Sequence, residues 1–250
     1  MTKRIGLHIT VIIASTLLFA PLAHAQLTQN EIQKLLADGA ENPTRFGWSV
    51  AIDGDTALIG VYAENDSGID DNGAAYVFTR VAGTWAREAK LLASDPAIYQ
   101  AFGISVAIDG NTAVVGAYGD SNSGTVNNGA AYVFTRSAGS WQQQAKLLAR
   151  DKDSGDYFGW SVAIDGDTAV IGAKYQDDSG TIINGAAYVF SRSAGTWTEQ
   201  AKLLATDKAN YDEFGRSVAI DGNTAVIGAH MHWDNGTRES GAAYVFIRSD

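Results

Sequence analysis

Two histidines and a scatter of carboxylates are the residues of this 250-residue chain that could do chemistry. His230 and His232 flank Met231 and are followed by Trp233 and Asp234. Alternate residues of an extended segment share a side, so two imidazoles there could meet zinc or copper, although a complete site needs further ligands. The carboxylates gather as Asp66 with Asp70 and Asp71, as Asp177 with Asp178, and as Asp151-x-Asp153-x-x-Asp156, with Asp120 in a further loop. Calcium is a hard cation that wants six to eight oxygens. Any of these clusters could hold calcium weakly, with Asp151, Asp153 and Asp156 the set carried forward for it, against the commoner alternative of a solvated acidic loop. Trp233 could stack on a sugar or a peptide, or pack back over the fold.

Catalysis finds less support. There is no cysteine, and the other two histidines, His8 and His24, lie in an N-terminal stretch expected to be removed. Any Ser-His-Asp arrangement must therefore pass through His230 or His232. No glycine-rich loop is placed to cradle phosphate, and no pair of carboxylates stands out by distinct surroundings. A glycan-cleaving hydrolase or lyase stays a third reading, behind a binding module and a purely structural unit.

The elements that must position these residues are set by a repeat. Phe-Gly recurs at Phe46-Gly47, Phe102-Gly103, Phe158-Gly159 and Phe214-Gly215, and Gly-Ala-Ala-Tyr-Val-Phe recurs from Gly73, Gly129, Gly185 and Gly241, always 56 residues apart. Such a period means one supersecondary unit arrayed with copies of itself. Within the third copy, Ser161–Asp165 and Thr168–Ala173 flank the hairpin pair Gly166-Asp167. Ala186–Arg192 follows, and Ser193-Ala-Gly-Thr196 turns it into Trp197–Leu204. The first three runs are apolar on both faces, as strands covered on both sides are. Four antiparallel strands per repeat, buried on both faces, predict an all-β propeller of four-stranded blades rather than a solenoid, since no capping repeat is present. The repeated Phe, Tyr and Trp residues, including Trp85, Trp141 and Trp197, are then core.

The run Phe-Gly-x-Ser-Val-Ala-Ile-Asp-Gly, then Thr-Ala-Val-Ile-Gly-Ala, then Gly-Ala-Ala-Tyr-Val-Phe closely resembles the FG-GAP repeat of integrin α-subunit-like β-propellers and bacterial exported proteins. The resemblance covers residues 33–250 and implies an adhesion or recognition scaffold rather than an enzyme. Related propellers often bind calcium in Asp-x-Asp-x-Asp-Gly loops. This chain has only Ile-Asp-Gly-Asp/Asn-Thr at the comparable turn (Asp53, Asp109, Asp165, Asp221), which is too short to wrap an ion. Relatives commonly carry seven blades, so four copies leave either a closed four-blade ring or part of a larger one.

The last copy stops after its third strand. Gln33–Ala37 carries Leu35-Leu36 at the same offset before Phe46 that Leu91-Leu92 has before Phe102. This N-terminal strand is expected to complete the last blade and close the ring, removing open edges. Thr28 and Glu31 with Ile32, Leu35 and Leu36 also read as a capped amphipathic helix. Connections between the first and second and the third and fourth strands barely change between copies. Those at the other end (62–72, 118–128, 174–184, 230–240, with 38–45, 94–101, 150–157, 206–213) diverge, as recognition loops on a rigid frame do.

Residues 1–25 read as a signal peptide. Lys3-Arg4 leads an apolar stretch to Ala20, and Ala23-His24-Ala25 is a cleavage site, leaving 26–250 as the propeller. Removing Lys3 and Arg4 takes the net charge from −10 to −12. That charge repels nucleic acid and anionic membrane. The expectation is a secreted, periplasmic or cell-surface protein, not inserted in the membrane after cleavage. Its partner would be an extracellular or cell-surface protein or glycan, with self-association of a partial propeller as the runner-up.

Overall fold

The computed structural model describes residues 31–37, 44–122, 124–178, 180–233 and 240–249. The expected signal peptide, Thr28 of the helix reading and Asp234 lie outside the described residues. No described helix is long and apolar enough to cross a membrane.

Each repeat folds as a meander. Blade 1 is β1 (Ser49–Asp53), β2 (Thr56–Val61), β3 (Ala74–Val81) and β4 (Thr84–Leu91). Blade 2 is β5 (Ser105–Asp109), β6 (Thr112–Ala117), β7 (Ala130–Ser137) and β8 (Ser140–Leu147). Blade 3 is β9 (Phe158–Asp165), β10 (Thr168–Ala173), β11 (Ala186–Ser193) and β12 (Thr196–Leu203). Blade 4 has three strands, β13 (Phe214–Asp221), β14 (Thr224–Ala229) and β15 (Ala242–Ile247). Strand order follows the chain in every sheet, and all pairings between strands are antiparallel.

The first strands β1, β5, β9 and β13 adjoin in succession, whereas the outer strands β4, β8 and β12 hardly meet. Sheets that touch along their inner strands and splay outward are propeller blades. One face of each blade packs on the opposite face of the next. Leu58, Ala75 and Val77 of blade 1 meet Phe102, Val106, Val115 and Tyr132 of blade 2, and the same arrangement recurs between blades 2 and 3 and between blades 3 and 4. β6 and β10 are consequently buried at every residue, while β14 alternates because only one of its faces is covered. Phe102, Phe158 and Phe214 are fully buried, each at 5.4 Å edge-on or tilted against the tyrosine of its own blade, an arrangement favoured by the ring quadrupoles.

The ring closure expected from the sequence is not what the structure shows. Residues 31–37 form neither strand nor helix, and among the described residues no fourth strand lies beside β15. Leu35 and Ala37 instead pack on blade 1, against the cluster of Ile59, Val61, Tyr76 and Phe78. Among the described residues no core cluster joins blade 4 to blade 1. The strand pairing expected of the segment needs blade 4 to be brought round to it.

Candidate functional site

The Phe-Gly pair of each repeat is a turn. The residue after Gly donates its N–H to the carbonyl of the residue before Phe, as in Trp48 to Arg45, Ile104 to Ala101, Trp160 to Tyr157 and Arg216 to Glu213, at 3.1–3.2 Å. The glycines sit at φ +85° to +91°, as the third residue of a type II turn does. Such a turn brings its first and fourth side chains together. The first residue is itself left-handed (Arg45, Ala101, Tyr157, Glu213, φ +52° to +58°), a backbone conformation held against steric cost. The loop leaving the second strand of one blade pairs by its backbone with the segment entering the next: Tyr211 and Glu213 donate to Ile182 and Ile183, and Tyr99 and Ala101 to Asp70 and Asp71. The two sets of divergent loops therefore interlock at one end of the blades.

This geometry assembles an aromatic array from one repeat position after another. Tyr157 and Trp160 stack at 6.4 Å and 13°. Tyr118 lies 4.8 Å from Tyr157 and 5.1 Å from Trp160, and Tyr175 lies 4.9 Å from Tyr157. All four rings are partly exposed. Lys174 is buried beneath them, its Nζ 3.5 Å from the Trp160 centroid and 4.2 Å from that of Tyr175. Burial pushes the Lys174 ammonium down to about 8, against the pull of Glu213 at 3.8 Å. Burial likewise raises Tyr118 and Tyr175. Arg216 lies 5.6 Å from the Trp160 ring and pairs with Glu213 at 2.8 Å, and His230 stands 3.7 Å from the same carboxylate. Blade 1 repeats the motif with Trp48 4.9 Å from Tyr62 and Arg45 over that tyrosine. Tyr99, Tyr211, Val126, Ile182 and Trp233 stand exposed on the loops around this end.

Of the residues singled out by sequence, His230 joins this array, and several others are spent inside the fold. Glu64, Asp120, Gln176 and His232 occupy one repeat position and are all buried. Asp120 accepts from Tyr132 Oη at 2.5 Å and from Lys146 at 3.0 Å, and Glu64 accepts from Tyr76 Oη at 2.9 Å. His232 Nδ1 lies 3.1 Å from Asp212, so the two histidines engage different carboxylates. Asp66 is held below the usual carboxylate range by Lys90, and Asp178 is paired with Lys208. Asp70 accepts from Asn65, Asp71 donates its N–H to the same side chain, and Asp177 accepts from the Ile183 N–H. Trp233 is half exposed.

The three calcium candidates already have partners within the fold. Asp151 accepts from Tyr188 Oη and Lys202, which hold it low despite burial, and Asp156 accepts from the Asp153 N–H. Among the described residues no three His, Asp or Glu side chains are arranged to hold a metal ion. Trp160, Tyr118, Tyr157 and Lys174 were absent from the sequence-based set. Their signal was available: Tyr157 and Trp160 flank Phe-Gly at positions that differ between copies while the pair does not, and Tyr118 and Lys174 open the divergent loops 118–128 and 174–184.

A family model described as FG-GAP repeat matches the chain four times, over residues 30–78, 85–134, 141–190 and 197–246. The last three windows open at the second residue of a fourth strand and close in the third strand of the next blade. No curated protein matches the chain. Among solved structures, the crystal structure of the computationally designed Ika4 protein is similar, with 13% identity and a TM-score of 0.49 over 87% of this chain and 99% of that one.

Proposed function

The chain belongs to the FG-GAP repeat family, and from that premise we propose that it is an exported, non-enzymatic binding or adhesion propeller that recognises an extracellular protein or glycan through its divergent-loop end. The observation that carries this reading is the partly exposed array of Tyr118, Tyr157, Trp160 and Tyr175 underlain by Lys174. Large flat side chains with few rotatable bonds supply contact area at low entropic cost, which is why Tyr and Trp dominate binding hot spots. Sugar rings and the apolar parts of a peptide both fit such a platform, and Arg216, Glu213 and His230 beside it offer polar contacts that select orientation. Among the described residues, the constant end, built from short hairpins, shows no comparable set of ring-to-ring contacts.

The test is to present the protein to a panel of oligosaccharides and extracellular proteins, then repeat every positive with Trp160→Ala and Tyr118→Ala. Loss of binding with unchanged circular dichroism is the expected result. Retained binding by both variants removes the reading.

A further inference from the structure

The three joints between blades inside the chain are copies of one another. The Asp of each Ile-Asp-Gly turn accepts from a glycine N–H of the next blade: Asp53 from Gly110 and Asp109 from Gly166, both at 2.7 Å, and Asp165 from Gly222. A Cβ placed on Gly60, Gly116 or Gly172 would lie 1.9–2.0 Å from the next blade's Phe-Gly carbonyl, so each glycine is a cradle for that backbone. Arg192 and Arg248 reach back to Thr112 and Thr168 of the preceding blade.

At the two ends the same parts stand uncovered. A Cβ on Gly228 meets only Ser217 of its own blade. Val226 and Val245 are 39% and 64% exposed, where Val114 and Val170 at the position of Val226 and Val133 at that of Val245 are fully buried, and Ile247 beside them is 74% exposed. On blade 1, Val50 and Ile52 are 69% and 65% exposed, where their counterparts Val106 and Ile108 are 7% and 9%. Beside β15 lies a cavity of about 520 Å³ lined by Val170, Val189, Gln200, Leu203 and Phe246. In blade 3 the corresponding space holds the fourth strand, whose Trp197 donates to Gln144, the counterpart of Gln200.

We propose that a second copy of this chain covers blade 4: its blade 1 seats on Val226, Val245 and Ile247, and its Leu35–Ala37 enters beside β15 as a fourth strand. The uncovered face of blade 4 has already bound its complement three times within the chain, and blade 1 presents the one complement left unused among the described blades. Within one molecule the two faces remain apart, which points to another copy. The register follows from the internal pairs Ala75 with Leu91, Ala131 with Leu147 and Ala187 with Leu203, and sets Ala243 opposite Leu35. Asp221 then faces the Gly54 N–H, Gly228 the Phe46-Gly47 carbonyl, and Thr224 Arg80. The joint is head-to-tail, so it closes only if the rotation per blade allows. Two copies of four blades each make eight, within the range in which propellers close.

The chain has no cysteine of its own, so disulfide trapping reads cleanly. Leu35→Cys in one full-length preparation and Ala243→Cys in another are mixed, oxidised and run without reductant, and the mass of the unmodified full chain is measured by light scattering. The expected results are a covalent dimer from the mixture only, a dimer mass for the unmodified chain, and at least a tenfold weaker dimer for Gly228→Ala with its circular dichroism retained. A monomer mass at every concentration overturns the proposal. So does a Leu35→Cys/Ala243→Cys double variant that cross-links only within one chain, which would mean that the ring closes on itself.

Discussion

Trp160 is where turn, blade and neighbour meet: it closes the Phe-Gly turn from Tyr157, covers Lys174 from the next loop and faces Arg216 of blade 4. Sequence reasoning passed over it because it follows the repeated Phe-Gly pair rather than lying in a divergent loop, and singled out Trp233 for standing in one. What decided the matter was side-chain direction, which spacing alone does not carry. At the same scale, Asp156 reports on the cost of a charge within the loops. It is 3% exposed, and burial, reinforced by Asp153 and Asp151 and opposed by the Asp153 N–H, raises it from 3.8 to about 6. The folded chain therefore holds this proton more tightly than the unfolded one. The resulting stability is fully present below pH 3.8 and is lost as pH rises through about 6. Denaturant unfolding of the parent and of Asp156→Asn should diverge by roughly 3 kcal/mol between pH 4 and pH 7, the variant being the more stable at pH 7. Gln100 fills the equivalent position without charge and fully buried. Parallel pH curves would show that Asp156 titrates as it does in the unfolded chain.

At the scale of the element, hairpins and strands were legible because each carries its own signal. The turn between third and fourth strands is Ala-Gly, with Ala82, Ala138 and Ala194 at φ +48° to +51° and their glycines also left-handed. Two left-handed residues make the type I′ turn that suits a hairpin, and Asn fills the first place with less strain than Ala. Ala138→Asn should raise stability by about 0.5–1 kcal/mol, seen as a higher melting temperature. Loss of stability would mean that the turn relaxes otherwise. The glycine cradles give a sharper contrast. Gly116→Ala drives a methyl group into the Gly159 carbonyl of the next blade and should cost several kcal/mol, about 3 or more. Gly228→Ala meets only the movable hydroxyl of Ser217 and no neighbouring backbone, so it should lower the melting temperature of the isolated chain far less. Equal losses would mean that the methyl clashes within its own blade. The N-terminal segment was the least legible element, since Leu35 and Ala37 carry the apolar pattern of a fourth strand but strand pairing depends on an edge that no local pattern reveals.

For the whole molecule, the number of blades could be read from the period, while closure could not. Closure depends on the rotation between successive blades, which is set by packing spread over dozens of side chains and leaves no mark on the repeat. The polar rivets were misread for a related reason: Asp120 and His232 lie in divergent loops yet point inward to Tyr132 and Tyr244, so divergence between copies marked two blade interiors as well as the surface. Once those are set aside, the two ends of the molecule separate into a constant one of tight hairpins and a divergent one crowned by rings. The measurement that bears most directly on this division is calorimetric titration of the strongest binder from the oligosaccharide and protein panel into three proteins: the unmodified chain, Trp160→Ala at the divergent end and Ala138→Asn at the constant end. Affinity should fall about tenfold or more for Trp160→Ala, a loss of at least roughly 1.4 kcal/mol, and stay unchanged for Ala138→Asn. Equal affinity across all three proteins, or a panel with no binder, would contradict recognition through the divergent end.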